Sequence, residues 1–164
     1  MKTRTPTTLA LCIAISVAAA AAVASSAHFV RGPFASIDTS NAHVTVNWKE
    51  AGLGDTATVE YEASADGTAR YQCVNRGGKC PAAANKQDVN GPVTASGAFA
   101  SGKNGTITAS LTFEPPAGTL NCPGGQVLKM VSASFVNIGL TDLTNNFSAA
   151  ATPSSLSMAG PECP

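Results

Sequence analysis

Residues 92–115 carry the clearest structural signal in this chain and read PVTASGAFASGKNGTITASLTFEP. Across residues 106–113 apolar and polar side chains alternate without a break, and β-branched residues are frequent. A period of two is typical of a strand with one buried and one exposed face. The preceding dipeptide, Asn104-Gly105, commonly closes hairpins. We therefore predict a β-hairpin with arms at residues 93–99 and 106–113.

Further strands are predicted on both sides of this hairpin, at residues 34–38, 43–49, 56–63, 68–74, 127–138, 140–147 and 154–158. Asp66-Gly67 is a second hairpin signal, between the third and fourth of them. Because short strands recur without any helical pattern, we predict an all-β fold, an immunoglobulin-like or Greek-key two-sheet sandwich of eight or nine strands.

Trp48 shares one face of its predicted strand with Val44 and Val46. This pattern predicts that the indole packs in the core of the sandwich. A surface platform for a sugar ring is the alternative for this residue.

The chain begins with features of a secretory signal. Two basic residues precede an uncharged apolar run at residues 9–24, and small residues continue to Ala27. The run is shorter than the roughly 20 residues needed to cross a bilayer. We predict cleavage after Ala27, with cleavage after Ala24 as the alternative, so residues 1–27 are the signal peptide. The mature chain is then a secreted single domain, residues 28–164, without a membrane segment.

The charge of the predicted mature chain excludes several kinds of partner. Eight basic residues face ten acidic ones, a net charge of −2. Such a chain does not attract nucleic acid or an anionic membrane surface through its overall charge.

Four cysteines remain after the predicted cleavage: Cys73, Cys80, Cys122 and Cys163. An even number in a secreted chain implies two disulfides, and four cysteines allow three pairings. Their spacing matches no zinc module.

Residues 75–90 form a long stretch without periodicity, with Cys80 near the middle. A connection of this length is either functional or pinned, and a disulfide is the simpler explanation. As a candidate binding loop it would present polar and basic side chains, namely Asn75, Arg76, Lys79, Asn85 and Lys86.

Several segments resemble a family of small secreted proteins of filamentous bacteria and fungi that are described as hypothetical and have no assigned activity. The segments are WKEAGLG at residues 48–54, YQCVN at 71–75, PAAANK at 81–86, CPGGQ at 122–126 and LTD at 140–142. The resemblance implies one secreted β domain and adds no mechanism. It also implies that Cys73 pairs with Cys122 and that Cys80 pairs with Cys163.

The favoured function is that of a non-enzymatic extracellular protein that binds a partner or a cell-wall component. This hypothesis rests on the sequence, which has two histidines, no nucleophile elbow and no acidic cluster at a loop end.

Two alternatives remain open at this stage. The first is copper bound by a histidine brace, with His28 as the new N-terminus and His43 as the second histidine; this arrangement resembles lytic polysaccharide monooxygenases and periplasmic copper carriers. The second is a small-molecule carrier, which resembles the apoproteins of enediyne antibiotics in architecture alone.

Overall fold

The computed structural model describes residues 26–82 and 84–164, so all but the last two residues of the predicted signal peptide lie outside the described part. The described residues form eight strands: β1 (His28–Ile37), β2 (Val44–Ala51), β3 (Thr58–Asn75), β4 (Lys86–Ala100), β5 (Ile107–Phe113), β6 (Gln126–Asp142), β7 (Phe147–Ala150) and β8 (Leu156–Ala159). Among these residues, no helix has the length and apolar character needed to cross a membrane.

The strands form two antiparallel sheets. One sheet has the order β1-β2-β5, and the other has the order β4-β3-β6-β7, with β8 also paired to β6. The prediction of an all-β, two-sheet sandwich with eight or nine strands is confirmed. Its finer description as immunoglobulin-like or Greek-key stays a prediction.

The central strand of the larger sheet is β3. It pairs with β4 over residues 58–72 and with β6 over residues 61–75, so both of its edges are hydrogen-bonded along most of its length. The buried positions near its middle hold small residues, namely Ala63, Ala65, Gly67 and Ala69. The facing sheet and the loop after β5 can therefore approach its backbone closely.

The predicted hairpin at Asp66-Gly67 is wrong, because β3 runs through both residues without turning. A Cβ at Gly67 would lie 2.9 Å from Cδ of Pro116, so this glycine makes room for a packed proline and does not form a turn. The Asp66 carboxylate accepts a hydrogen bond from Asn137 Nδ2 at 2.7 Å, which links β3 to β6.

The predicted hairpin over residues 92–115 is also wrong as a hydrogen-bonded pair, although both strands exist. β4 pairs with β3 and β5 pairs with β2, so the two strands lie in opposite sheets. The turn between them contains Gly105 at a φ of 59°. Ser101 Oγ accepts from the Ala57 N–H at 2.9 Å and donates to the Gly54 carbonyl at 2.7 Å. These bonds tie the turn to the connection between β2 and β3, and the chain crosses to the other sheet there.

The alternation predicted for residues 106–113 is confirmed. Ile107 and Phe113 are buried, whereas Thr108, Ser110 and Thr112 are exposed. An alternation of period two predicts which side chains are buried but does not identify the neighbouring strand.

The predicted break between residues 127–138 and 140–147 is wrong, because β6 continues through Gly139 to Asp142. Asn137 adopts a left-handed φ of 56°, and the register with β3 shifts close to this residue. One extra residue in a bulge reverses the phase of the alternation. The buried side chains of β6 accordingly include Val131, Ala133 and Phe135 before the bulge, and Ile138 and Leu140 after it.

The predicted core position of Trp48 is confirmed, since only 2% of this residue is exposed. Its ring centroid lies 4.8 Å from that of Tyr61 and 5.4 Å from that of Phe99. The three rings pack against one another between the two sheets.

Both predicted disulfides are confirmed, Cys73 with Cys122 and Cys80 with Cys163. β4 already begins at Lys86, so the aperiodic stretch is shorter than predicted. The C-terminal tail is held by the second disulfide and by the Cys163 N–H, which donates to Gln72 Oε1 at 2.9 Å.

We predict that the double change Cys73→Ala and Cys122→Ala lowers the free energy of unfolding by about 4 kcal/mol. This figure follows from the chain-entropy model for a separation of 49 residues. Guanidinium unfolding of the two proteins measures the difference, and equal free energies would contradict the prediction.

The change Cys80→Ala with Cys163→Ala instead frees the loop that contains the exposed residues Arg76 and Lys79. We expect trypsin to cut this variant after Arg76 or Lys79 under native conditions, because the loop can then open without global unfolding. Peptide mapping of timed digests checks this result, and a loop as resistant as in the wild type would contradict it.

Candidate functional site

The exposed side of the three-stranded sheet presents an ordered set of side chains, which we name the outer face. Strand register places them in three rows across β1, β2 and β5. The rows are Arg31 with Lys49 and Thr108, Phe34 with Asn47 and Ser110, and Ser36 with Thr45 and Thr112. Neighbouring strands lie about 4.8 Å apart and successive rows about 7 Å apart, so the face is a regular grid of contacts.

Two irregularities in β1 place the aromatic and the cation on this face. The register with β2 shifts between Phe29 and Arg31 and again between Arg31 and Phe34. Bulges re-aim side chains and are common next to functional sites. As a result 44% of Phe34 is exposed, and the Arg31 guanidinium lies 5.7 Å from the Phe34 ring centroid.

The outer face carries two positive charges, those of Arg31 and Lys49. Arg31 and Lys49 are direct cross-strand partners, and both are exposed. Neither makes an ion pair within residues 26–82 and 84–164. Like charges directly opposite one another destabilise a sheet. The presence of this pair is therefore not explained by the stability of the fold.

A groove of about 600 Å³ runs over the first two rows. Its lining includes Arg31, Phe34, Asn47, Lys49, Thr108 and Ser110. In the third row the hydroxyls of Thr45 and Thr112 bond to each other at 2.9 Å. The side chains of Asn47, Thr108 and Ser110 have no hydrogen-bond partner among the described residues, so their polar groups are available to a ligand.

The predicted binding loop forms a turn on a different part of the molecule. The Asn75 N–H donates to the Lys79 carbonyl at 3.0 Å, and the Gly78 N–H donates to the Asn75 carbonyl at 2.7 Å. The five candidate residues, Asn75, Arg76, Lys79, Asn85 and Lys86, are all exposed. The backbone carbonyl of Asn85 accepts from the Cys73 N–H at 3.0 Å, which fixes the second half of the loop.

The structure does not bring the two candidate copper ligands together. His28 pairs with Ala51 at one end of β2, whereas His43 precedes β2 at its other end. Eight residues of extended chain separate those ends, which is about 26 Å. His28 Nδ1 contacts the Ser26 carbonyl at 2.7 Å, and His43 Nε2 lies 3.8 Å from Glu114 Oε1. Over the part of the chain that the structure describes, no three His, Cys, Asp or Glu side chains form a metal-binding group.

A buried polar cluster joins the two sheets at the end of the sandwich near His28. Glu50 of β2 and Asp142 of β6 are both fully buried. Tyr61 Oη donates to Glu50 Oε2 at 2.8 Å, while Asn145 donates to both oxygens of Asp142 through its N–H at 2.8 Å and its Nδ2 at 2.6 Å. Glu50 Oε1 receives no hydrogen bond from the described residues.

Burial raises the pKa of Glu50 from its ordinary value of 4.5 to about 7. The hydrogen bond from the Tyr61 hydroxyl lowers this pKa, and the neighbouring Asp142 carboxyl raises it further. When it is protonated, Glu50 carries no charge and can donate a hydrogen bond to Asp142. Burial and Glu50 likewise raise the pKa of Tyr61, which stays a donor.

Sequence reasoning missed both sites, although each left a signal. Glu50 lies two residues after Trp48 and four after Val46, so the alternation of the strand places its carboxyl on the same buried face. For Phe34 the signal is weaker, because its exposure depends on the bulges in β1 and these shift the phase of the alternation.

No protein-family model matches this sequence, and no curated protein matches it significantly. The resemblance to small secreted proteins therefore stays a prediction.

We predict that the protein is more stable near pH 5 than near pH 7.5 because of Glu50. Its pKa is raised on folding, so its stabilising contribution is complete below about pH 4.5 and is lost as the pH rises to about 7. Between these two pH values the difference in the free energy of unfolding is about 2 kcal/mol. Urea unfolding at several pH values from 4.5 to 8 measures it.

The stability of the variant Glu50→Gln should not depend on pH in this window, and the variant should be more stable than the wild type at pH 7.5. The reason is that the amide is uncharged and can donate a hydrogen bond to Asp142 at every pH in this range. Glu60→Gln, a change of an exposed carboxylate on β3, is the matched control and should keep the slope of the wild type. A Glu50→Gln protein with the same slope as the wild type would refute the assignment.

Proposed function

We propose that this chain is a secreted, non-enzymatic protein that binds an extracellular or cell-wall polysaccharide through the outer face. The observation that carries the proposal is the groove in which an exposed Phe34 lies among polar side chains that have no hydrogen-bond partner among the described residues. Sugars offer an apolar ring face together with many hydroxyl groups, and an aromatic ring beside amide and hydroxyl groups matches both.

The shape of the site also favours a polymer. The groove lies across a sheet surface and its rows repeat about every 7 Å, so successive units of a chain can make similar contacts on successive rows. The hydroxyls of Ser110 and Thr108 and the amide of Asn47 supply donors and acceptors along this path.

A binding role agrees better with the buried carboxyls than an enzymatic role does. Acid and base chemistry needs titratable groups that a substrate can reach. Glu50 has a pKa raised to about 7, which suits such chemistry, yet Glu50 and its neighbour Asp142 are both fully buried.

An extracellular location is supported by the two disulfides, which persist in oxidising compartments. The proposed export signal at residues 1–27 agrees with this location.

We expect Phe34→Ala to weaken polysaccharide binding about tenfold, which corresponds to about 1.4 kcal/mol. Affinity gel electrophoresis with polygalacturonate, alginate, xylan and hydroxyethyl cellulose, followed by titration calorimetry on any polymer that retards the protein, measures the effect. Leu143→Ala removes an equally exposed apolar side chain from another part of the surface and is the matched control.

The proposal fails if none of the four polymers retards the wild type. It also fails if Phe34→Ala and Leu143→Ala bind equally well, since the bound polymer would then contact a different surface.

A further inference from the structure

The Arg31–Lys49 pair specifies the kind of polysaccharide, an inference that rests on the proposed function. We infer that the outer face binds an acidic polysaccharide of the polyuronate type, with one sugar carboxylate held between Arg31 and Lys49. The cross-strand register that places two cations opposite one another is the observation behind it.

An anion bound between the two side chains would offset the repulsion between their positive charges. Neighbouring strands lie about 4.8 Å apart, so one carboxylate can contact both cationic groups. A guanidinium presents a fork that matches a carboxylate with two parallel hydrogen bonds, and an ammonium adds a mobile point charge. Phe34 lies beside the Arg31 guanidinium, and a cation–π contact at this distance helps to hold it over the groove.

The next row indicates what surrounds the carboxylate. About 7 Å along the strands the cations give way to Phe34, Asn47 and Ser110, which are neutral. This distance is on the scale of one sugar unit, so a ring bearing hydroxyls would meet the aromatic and the polar groups there. One charged row beside one neutral row matches a polymer with a carboxylate on each ring and hydroxyls elsewhere.

A more densely charged ligand fits less well. Binding to sulfated or phosphorylated polymers relies on many cations that each neutralise one charge. Among the described residues that line the groove, the cations are Arg31 and Lys49, and the chain from His28 to Pro164 carries a net charge of −2. All of these polymers are anionic, and we assign the anionic group of the ligand as a carboxylate.

The test compares polygalacturonate and alginate with the methyl ester of polygalacturonate and with dextran sulfate, by calorimetry at low and moderate salt. We expect at least one polyuronate to bind about tenfold or more tightly than the neutral ester, with an affinity that falls as salt screens the charges. The double variant Arg31→Gln with Lys49→Gln should lose that preference and bind the acid and the ester alike.

Two further variants separate this face from other cations. Lys103→Gln with Lys129→Gln removes two exposed lysines from elsewhere and should bind like the wild type. Arg76→Gln with Lys79→Gln removes the cations of the predicted binding loop; if this variant, and not the outer-face variant, loses the preference, the assignment to Arg31 and Lys49 is overturned.

The remaining outcomes distinguish the two proposals. Equal affinity of the wild type for the acidic and the methyl-esterified polymer would contradict the assignment of a bound carboxylate, but it would leave the proposal of polysaccharide binding in place. Tighter binding of dextran sulfate than of either polyuronate also overturns that assignment. Binding of xylan or hydroxyethyl cellulose without binding of either polyuronate overturns the carboxylate assignment alone, whereas failure to bind any of these polysaccharides overturns the proposed function itself. Circular dichroism of each variant confirms that a lost affinity does not reflect unfolding.

Discussion

Hydrogen bonding along both edges of β3 is the constraint on which the rest of this sandwich depends. Because β4 and β6 occupy those edges over residues 58–72 and 61–75, β5 cannot join the same sheet beside β3 and pairs with β2 in the other one. The small inward residues of β3 then bring Pro116 close to the backbone of Gly67. One long strand thus determines both the division into sheets and their separation, since backbone donors and acceptors in the interior must all be paired.

The two sheets meet through different chemistry at different places. Trp48, Tyr61 and Phe99 pack against one another between the sheets, where burial of large aromatic surfaces contributes to the attraction. Near the end that holds His28, the contact is polar, and Tyr61 belongs to both because its ring packs on Trp48 while its hydroxyl reaches Glu50. A buried carboxyl pair costs stability when it is ionised, so it is weak evidence for a stabilising role. It does restrict which way the sheets can align, since a shift would separate the donor from the acceptor.

Much of the fold could be predicted from the sequence because alternation and cysteine count are local signals. The strand phases of β2 and β5 and the burial of Trp48 follow from period two alone; the disulfide pairing came from the family resemblance. The pairing between strands could not be predicted. Asn104-Gly105 and Asp66-Gly67 are similar turn signals, yet Gly105 lies in a turn between the two sheets, whereas Gly67 lies within a strand and accommodates a proline. Those outcomes depend on contacts distant in sequence. The groove was missed for the same reason, since it combines side chains from β1, β2 and β5.

The outer face can evolve for binding because it contributes little to the stability of the fold. Its neighbours on the inner side, such as Val46 and Trp48, are buried and hold the sheet in place, whereas Asn47 and Lys49 alternate with them and face water. Exposed side chains of this kind usually change stability by less than about 0.5 kcal/mol when they are replaced. A like-charged pair can persist on such a surface if its small cost is offset when an anion binds. The paired strands beneath it hold the backbone of both residues in place, so the conformational entropy lost on binding is confined to their side chains.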